Sequence, residues 1–264
     1  MKAVILAAGK GTRMRELTNE LPKPMLEVAP GKPILEVILE GILAAGVQDV
    51  FIVTGFRGEV IKTHFGDGSK WKARIAYGEQ KVQDGTGKAP EIARDFLGVS
   101  PFLLTYGDIL VTNEKGIQLR QIYQQMIHRY NEGYFSGVIT VTRGQDVSKG
   151  GLNFFDTEFC LKRLVEKPGP EQLQHLRDEG WLKPNEPVWY NAGIYIFKPT
   201  IFEFTGRLHK SPRGEFELTD AVNGFVAAHH KLAGLEIDGR WVDVRDPEVL
   251  AALEGKAPRE PSKV

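Results

Sequence analysis

The chain reads as an α/β domain built on a mixed, mainly parallel sheet flanked by helices, and three observations predict it. An apolar, branched run from Val4 to Ala8 opens the chain and stops at Gly9, which suits a buried parallel strand. Ile34, Leu35, Ile38, Leu39, Ile42 and Leu43 then recur at helical spacing before Gly46, and Val50 to Val53 follows as a second strand, completing a βαβ unit. The alternation continues, and it predicts layered helices over a sheet whose ligand crevice lies at the carboxyl ends of its strands.

The later elements follow in order. Helices are expected at Glu59–Phe65, Ala89–Phe96 and Gly116–Tyr130, with strands at Ala73–Tyr77, Phe102–Thr105 and Ser136–Thr142. Beyond Gly150 short strands at Leu152–Phe155 and Cys160–Val165 precede a polar helix over Gln172–Gly180. The breaker-rich stretch 183–187 is a lid or a plain connection. Trp189–Phe197 returns to strand, Arg213–Asp220 leads into a helix with acidic residues at its amino end, Arg240–Val244 is a strand, and Glu248–Leu253 can form a last helix. Residues 255–264 form a polar, proline-broken tail expected to be flexible.

Composition sets limits. With 264 residues, 42% hydrophobic, the chain can bury a sizeable core. Lys plus Arg equals Asp plus Glu at 34 each, so no global field points to nucleic acid or an anionic membrane, and any anion site is local. The lone Cys160 rules out an internal disulfide and fits a reducing compartment. Without a long apolar span or a signal-peptide pattern, a cytoplasmic protein is expected.

The loop after the first strand carries the chemistry. Gly9, Gly11 and Thr12 let the backbone approach a ligand, successive N–H groups can cradle a phosphate, and Arg13 adds a permanent charge with a fork of donors. A dinucleotide fingerprint would need glycine in place of Met14, and no Gly-Lys-Ser/Thr closes a Walker loop. Pro22-Lys23-Pro24 then stiffens the backbone on both sides of one lysine, which suits rigid placement of a charge beside a reacting phosphate.

Together AAGKGTRM (7–14) and LPKPML (21–26) resemble the signature of the sugar-1-phosphate nucleotidylyltransferases, closest in motif to glucose-1-phosphate thymidylyl- and uridylyltransferases. The resemblance runs from Met1 to about Asp246. It implies a Rossmann-like nucleotidyltransferase fold of the GT-A-like kind, spanning 1–254, with 1–142 as a nucleotide half and 143–254 as a sugar half. It implies transfer of a nucleotidyl group from a nucleoside triphosphate to a sugar 1-phosphate, releasing pyrophosphate, with Mg2+ as cofactor and neither nucleic acid nor membrane as partner. A homo-oligomer is left open.

By that resemblance Ala7, Ala8, Gly9, Gly11 and Thr12 hold the nucleotide, Arg13 meets the departing pyrophosphate and Lys23 the α-phosphate. In EQKVQDGTGKA (79–89), Gln80 and Gly85 occupy the base-reading positions; a carboxamide presents donor and acceptor together, which favours uracil or thymine. Asp108, after an apolar strand, is a metal ligand. Because magnesium takes one or two carboxylates plus phosphates and waters, a second is sought, and Asp243 is the candidate. Gly151, Glu166, Lys167, Asn191, Gly193 and Glu217 fall where the family holds the sugar phosphate.

Two positions depart from the pattern: Gly150 stands where thymidylyltransferases often carry tyrosine, and Val244-Arg245-Asp246-Pro247 replaces the usual Thr-Gly after the second carboxylate. A cytidylyltransferase acting on a sugar phosphate or phosphocholine, a uridylyltransferase for N-acetylmuramate 1-phosphate, and a non-catalytic nucleotide-sugar-binding paralogue are the alternatives. The paralogue would be expected to lose Arg13, Lys23 or Asp108, and all three are present. A glycosyltransferase on a related fold would be expected to carry Asp-x-Asp where Gly107-Asp108-Ile109 offers one carboxylate.

Overall fold

The computed structural model describes residues 1–9, 11, 14, 18, 21–184 and 186–253. The tail 255–264, with Thr12 and Arg13, lies outside the described residues.

The opening apolar run becomes β1 (Lys2–Ala7), and its neighbours are set by what its two faces can bury. It runs parallel to β4 (Asp49–Thr54) on one side, Ile5 facing Ile52, and parallel to β6 (Phe102–Tyr106) on the other, Ile5 facing Thr105. Alternate residues of β1 divide between two cores. Ala3, Ile5 and Ala7 pack with α1 (Ile34–Ala44) and α4 (Leu119–Asn131). Val4, Leu6 and Ala8 pack on the opposite face with α6 (Phe202–Thr205) and α7 (Leu218–Ala227). Ile5 is wholly buried, and such burial of an aliphatic side chain stabilises by about 1.5–3 kcal/mol.

The connections fill in around this centre. Between β1 and α1 a small hairpin, β2 (Glu27–Ala29) and β3 (Lys32–Pro33), precedes the helix; α2 (Gly58–Phe65) crosses from β4 to β5 (Arg74–Glu79). The helix expected over Ala89–Phe96 is a 3-10 turn, Ala89–Ala93, followed by the single-turn α3 (Arg94–Leu97). Pro90 lacks a backbone N–H, which favours an irregular start.

Among the described residues the main sheet has nine strands, with β11 (Leu161–Glu166), β10 (Gly151–Phe155), β12 (Trp189–Phe197), β6, β1, β4 and β5 side by side in that order, β9 (Gly137–Thr142) also against β12, and β13 (Leu232–Glu236) beyond β9. Strands β6, β1, β4 and β5 run parallel. β12 enters antiparallel to β6, and the hairpin of β10 (Gly151–Phe155) and β11 (Leu161–Glu166) closes one edge, followed by α5 (Pro170–Asp178). The sheet is mixed with a parallel centre, as expected.

The departure from expectation lies beyond Asp108. The chain turns at Gly107–Asp108 into β7 (Ile109–Asn113) and β8 (Gly116–Ile117), which with β14 (Arg240–Asp243) make a separate three-stranded sheet before α8 (Pro247–Leu253). Asp243 therefore comes from this smaller sheet rather than from a strand of the main crevice. Its register partner is Ile109, the residue after Asp108.

Candidate active site

The carboxyl ends of β1, β4 and β6 face one side, and the loops leaving them form a cleft. A cavity of about 330 Å3 there is lined by Ala7, Ala8, Gly9, Lys23, Gln80, Gly85 and Asp108. A second, of about 240 Å3, is lined by Gly151, Glu166, Lys167, Asn191, Gly193, Glu217 and Asp243. Thr86, Tyr106, Asp108 and Glu215 border both, so the two meet at Asp108.

Lys23 sits at that junction. Its backbone is held in a short 3-10 turn between Pro22 and Met25, and the lysine is buried. Its Nζ lies 2.5 Å from Asp108 Oδ2 and 3.7 Å from Asp243 Oδ1. Gly11, with φ +64, passes so close that a Cβ there would lie 2.8 Å from Lys23 Cβ. Gly11 and Lys23 are thus packed against one another.

The end of the first cavity around Gln80 is built from a crossing of distant segments. Gln80 Nε2 donates to Gly85 O at 3.0 Å. Gly85 adopts φ +116, and a Cβ would meet Phe216 O at 2.3 Å, so only glycine fits. Phe216 N donates to Asp84 O and Gly87 N to Phe216 O, tying the 84–87 loop to the segment before α7. Gln83, which sequence reasoning missed, donates its Nε2 to Ala8 O at 2.9 Å and lines the same cavity.

At the other end Glu217, buried and preceding α7, accepts from Arg213 Nη2 at 2.7 Å and from Ser211 Oγ at 3.0 Å. Arg213 also lies 3.7 Å from Glu166 Oε1, and Lys167 Nζ lies 3.6 Å from that same oxygen. Burial pushes the Glu166 carboxyl above its ordinary value; Lys167 and Arg213 oppose this while Glu217 adds to it. Lys167 holds a left-handed backbone, φ 42, a strain that tends to persist where the surroundings fix a functional side chain. Asn191 is held in place from within: its Nδ2 donates to Tyr195 Oη and its Oδ1 accepts from Gly193 N, which shapes the bulge of β12 and leaves the amide with a further N–H and lone pair. Thr219 lines this cavity with a buried hydroxyl that has no partner within the described protein, a polar site suited to a polyhydroxylated ligand.

The sequence-selected residues therefore gather in one cleft, with Arg13 and Thr12 outside the described residues. Besides Gln83, sequence reasoning missed Tyr106, whose hydroxyl burial pushes up; Tyr190; and Trp241, whose Nε1 donates to Ala192 O at 2.9 Å. Arg245, which with Arg240 was an expected ion-pair partner of Asp243, lies 3.2 Å from its Oδ2. Gln83 lies inside the 79–89 stretch that the sequence singles out, which was the available signal for it.

The two carboxylates suit a magnesium ion. One small cation, the Lys23 ammonium, already reaches an oxygen of each, and no third His, Cys, Asp or Glu joins them among the described residues. That donor set leaves the remaining positions to phosphate and water, as magnesium prefers.

Comparisons with known proteins bear on the family and the fold. The chain is 35% identical over 253 residues to a bifunctional protein GlmU of Methanococcus maripaludis, covering 96% of this chain and 53% of the relative. It is 31% identical over 243 residues to a glucose-1-phosphate thymidylyltransferase of Streptomyces griseus, covering 92% and 62%. It is 29% identical over 251 residues to the low-salt glycan biosynthesis nucleotidyltransferase Agl11 of Haloferax volcanii, covering 94% and 63%. The chain thus spans 53% to 63% of the length of these relatives. A UDP-glucose pyrophosphorylase solved with UDP-glucose shares the fold with a TM-score of 0.77 at 24% identity, covering 96% of each chain. So does a Bacillus anthracis protein assigned as a glucose-1-phosphate thymidylyltransferase, in complex with sucrose, with a TM-score of 0.77 at 22% identity and coverage of 100% and 98%. The family model described as nucleotidyl transferase matches residues 2–256, and with Lys23, Asp108 and Asp243 meeting in one cleft the chain belongs to that family.

Proposed function

We propose that this chain transfers a nucleotidyl group from UTP or dTTP to a sugar 1-phosphate, releasing pyrophosphate. The observation that carries the reading is the position of Lys23 Nζ, within 2.5 Å of Asp108 and 3.7 Å of Asp243, where a nucleotide-sized cavity meets a second, polar one.

The triphosphate lies along Ala7, Ala8, Gly9, Gly11 and Thr12 with its base at Gln80 and Gly85. With Nε2 engaged by Gly85 O, Gln80 Oε1 is free to accept the N3–H of uracil or thymine; cytosine has an acceptor there and leaves the pair unmatched. The sugar phosphate occupies the second cavity, its hydroxyls on Glu166, Asn191 and Glu217 and its phosphate near Lys167.

An oxygen of that phosphate attacks the α-phosphorus in line, a P–O bond forms, and the bond to the bridging oxygen of pyrophosphate breaks, its electrons leaving with pyrophosphate. Lys23 offsets charge at the α-phosphate and Arg13 at the leaving group; the work of the protein is positioning and charge neutralisation. Asp108 and Asp243 would hold a magnesium ion, which when bound draws charge from the phosphate oxygens. The two halves, 1–142 and 143–254, supply nucleotide and sugar contacts respectively.

A panel of nucleoside triphosphates against sugar 1-phosphates, scored by pyrophosphate release, tests the reading. UTP or dTTP should be used in preference to CTP and GTP at low concentration; equal use of all four would remove Gln80 from base selection.

A further inference from the structure

At the end of β14 the backbone curls back, Arg245 N donating to Asp243 O at 2.8 Å while Val244 N donates to Asp108 O at 2.9 Å. The curl returns the Arg245 side chain onto the carboxylate it follows, with Nη2 3.2 Å from Asp243 Oδ2. The other oxygen, Oδ1, is the one facing Lys23 at 3.7 Å. Asp243 is therefore gripped on one oxygen and presented to the Asp108 side with the other.

Arg245 is itself braced. Tyr190 stands against Trp241, ring centroids 5.5 Å apart, and its buried hydroxyl faces the Arg245 guanidinium, which counteracts the upward push of burial on that hydroxyl. The hydroxyl fills the space over Gly150: a Cβ there would lie 2.0 Å from Tyr190 Oη. The absence of a side chain at 150 is thus coupled to the phenol of β12, which takes up that volume and reaches the arginine. The two departures from the family pattern, at Gly150 and after Asp243, belong to one arrangement.

We propose that Arg245, backed by Tyr190, is a positioning residue that fixes the Asp243 carboxylate so that Oδ1 points to the metal position shared with Asp108. This rests on the functional reading above. Charge and orientation make opposite demands. Removing the guanidinium leaves the site more negative, which on charge alone strengthens binding of a divalent cation. Losing the grip on Oδ2 lets the carboxylate rotate, which weakens it, and partners of metal ligands are typically worth about 10-fold to 100-fold in metal affinity.

The test is binding of Mn2+, followed by electron paramagnetic resonance, to the full chain with an α,β-methylene triphosphate that cannot turn over. Arg245→Met should bind Mn2+ more weakly by about 10-fold or more. Arg245→Gln, which keeps a hydrogen-bond donor without the charge, should retain most of the wild-type affinity. Arg245→Met binding as tightly as wild type, or tighter, overturns the proposal, as does Arg245→Gln falling to the level of Arg245→Met. A wild type that binds no Mn2+ removes the metal site itself, and this assignment with it, before any comparison of variants.

Discussion

Lys23 Nζ lies 2.5 Å from Asp108 Oδ2, an ion pair between a lysine fixed by two prolines and a carboxylate at the turn between two sheets. Asp243 approaches the same ammonium from the smaller sheet. Lys23 thus offsets the repulsion between two neighbouring carboxylates, and it is the cation proposed to meet the α-phosphate. Lys23→Ala should lower kcat by about 100-fold to 1000-fold with a smaller change in KM for the triphosphate, the pattern of a group acting mainly on the transition state. Steady-state kinetics read this directly, and near-normal kcat would remove Lys23 from the chemistry.

Gly85 stands at the crossing of the 84–87 loop with Phe216. Gly85→Ala places a methyl group where the Phe216 carbonyl lies and forces a left-handed backbone on alanine, a strain of about 1–3 kcal/mol. A urea midpoint lowered accordingly, together with a raised KM for the triphosphate, is expected. An unchanged midpoint and KM would show that the loop gives way without consequence.

The half-buried Glu166 carboxyl titrates above its ordinary value of 4.5. Its ionised form, the proposed acceptor of sugar hydroxyls, is lost as pH falls through that raised pKa, so KM for the sugar 1-phosphate should climb at a higher pH than an ordinary carboxylate would dictate. Because the substrate phosphate itself titrates at about pH 6, the informative quantity is the ratio to Glu166→Gln, which lacks the titration. A ratio flat from neutrality down to pH 4.5 would exclude Glu166 from sugar binding.

The main sheet was legible because β1, α1 and β4 bury residues at the periods their sequence displays, and part of the first cavity's lining was legible because Gly9, Lys23 and Gln80 sit in local motifs. The smaller sheet was not. Val242 pairs with Leu110 across half the length of the chain, and nothing local in ILVTN or RWVD announces that partner. Residues placed by such long-range register, Tyr190 and Trp241 among them, escaped notice for the same reason. Gly150 was visible only as a departure, because its meaning lies in the Tyr190 hydroxyl packed over it.

The most direct measurement follows label from the α-phosphate. UTP or dTTP labelled at that position is mixed with Mg2+ and a panel of sugar 1-phosphates, using wild type and Asp108→Asn, and every product is resolved. Wild type should place the label in a nucleotide-diphospho-sugar in one-to-one ratio with pyrophosphate, only when a sugar 1-phosphate is present and with no labelled protein; Asp108→Asn should still bind the triphosphate yet transfer far more slowly. Label appearing in protein or in free nucleoside monophosphate, or Asp108→Asn turning over at the wild-type rate, would contradict the account.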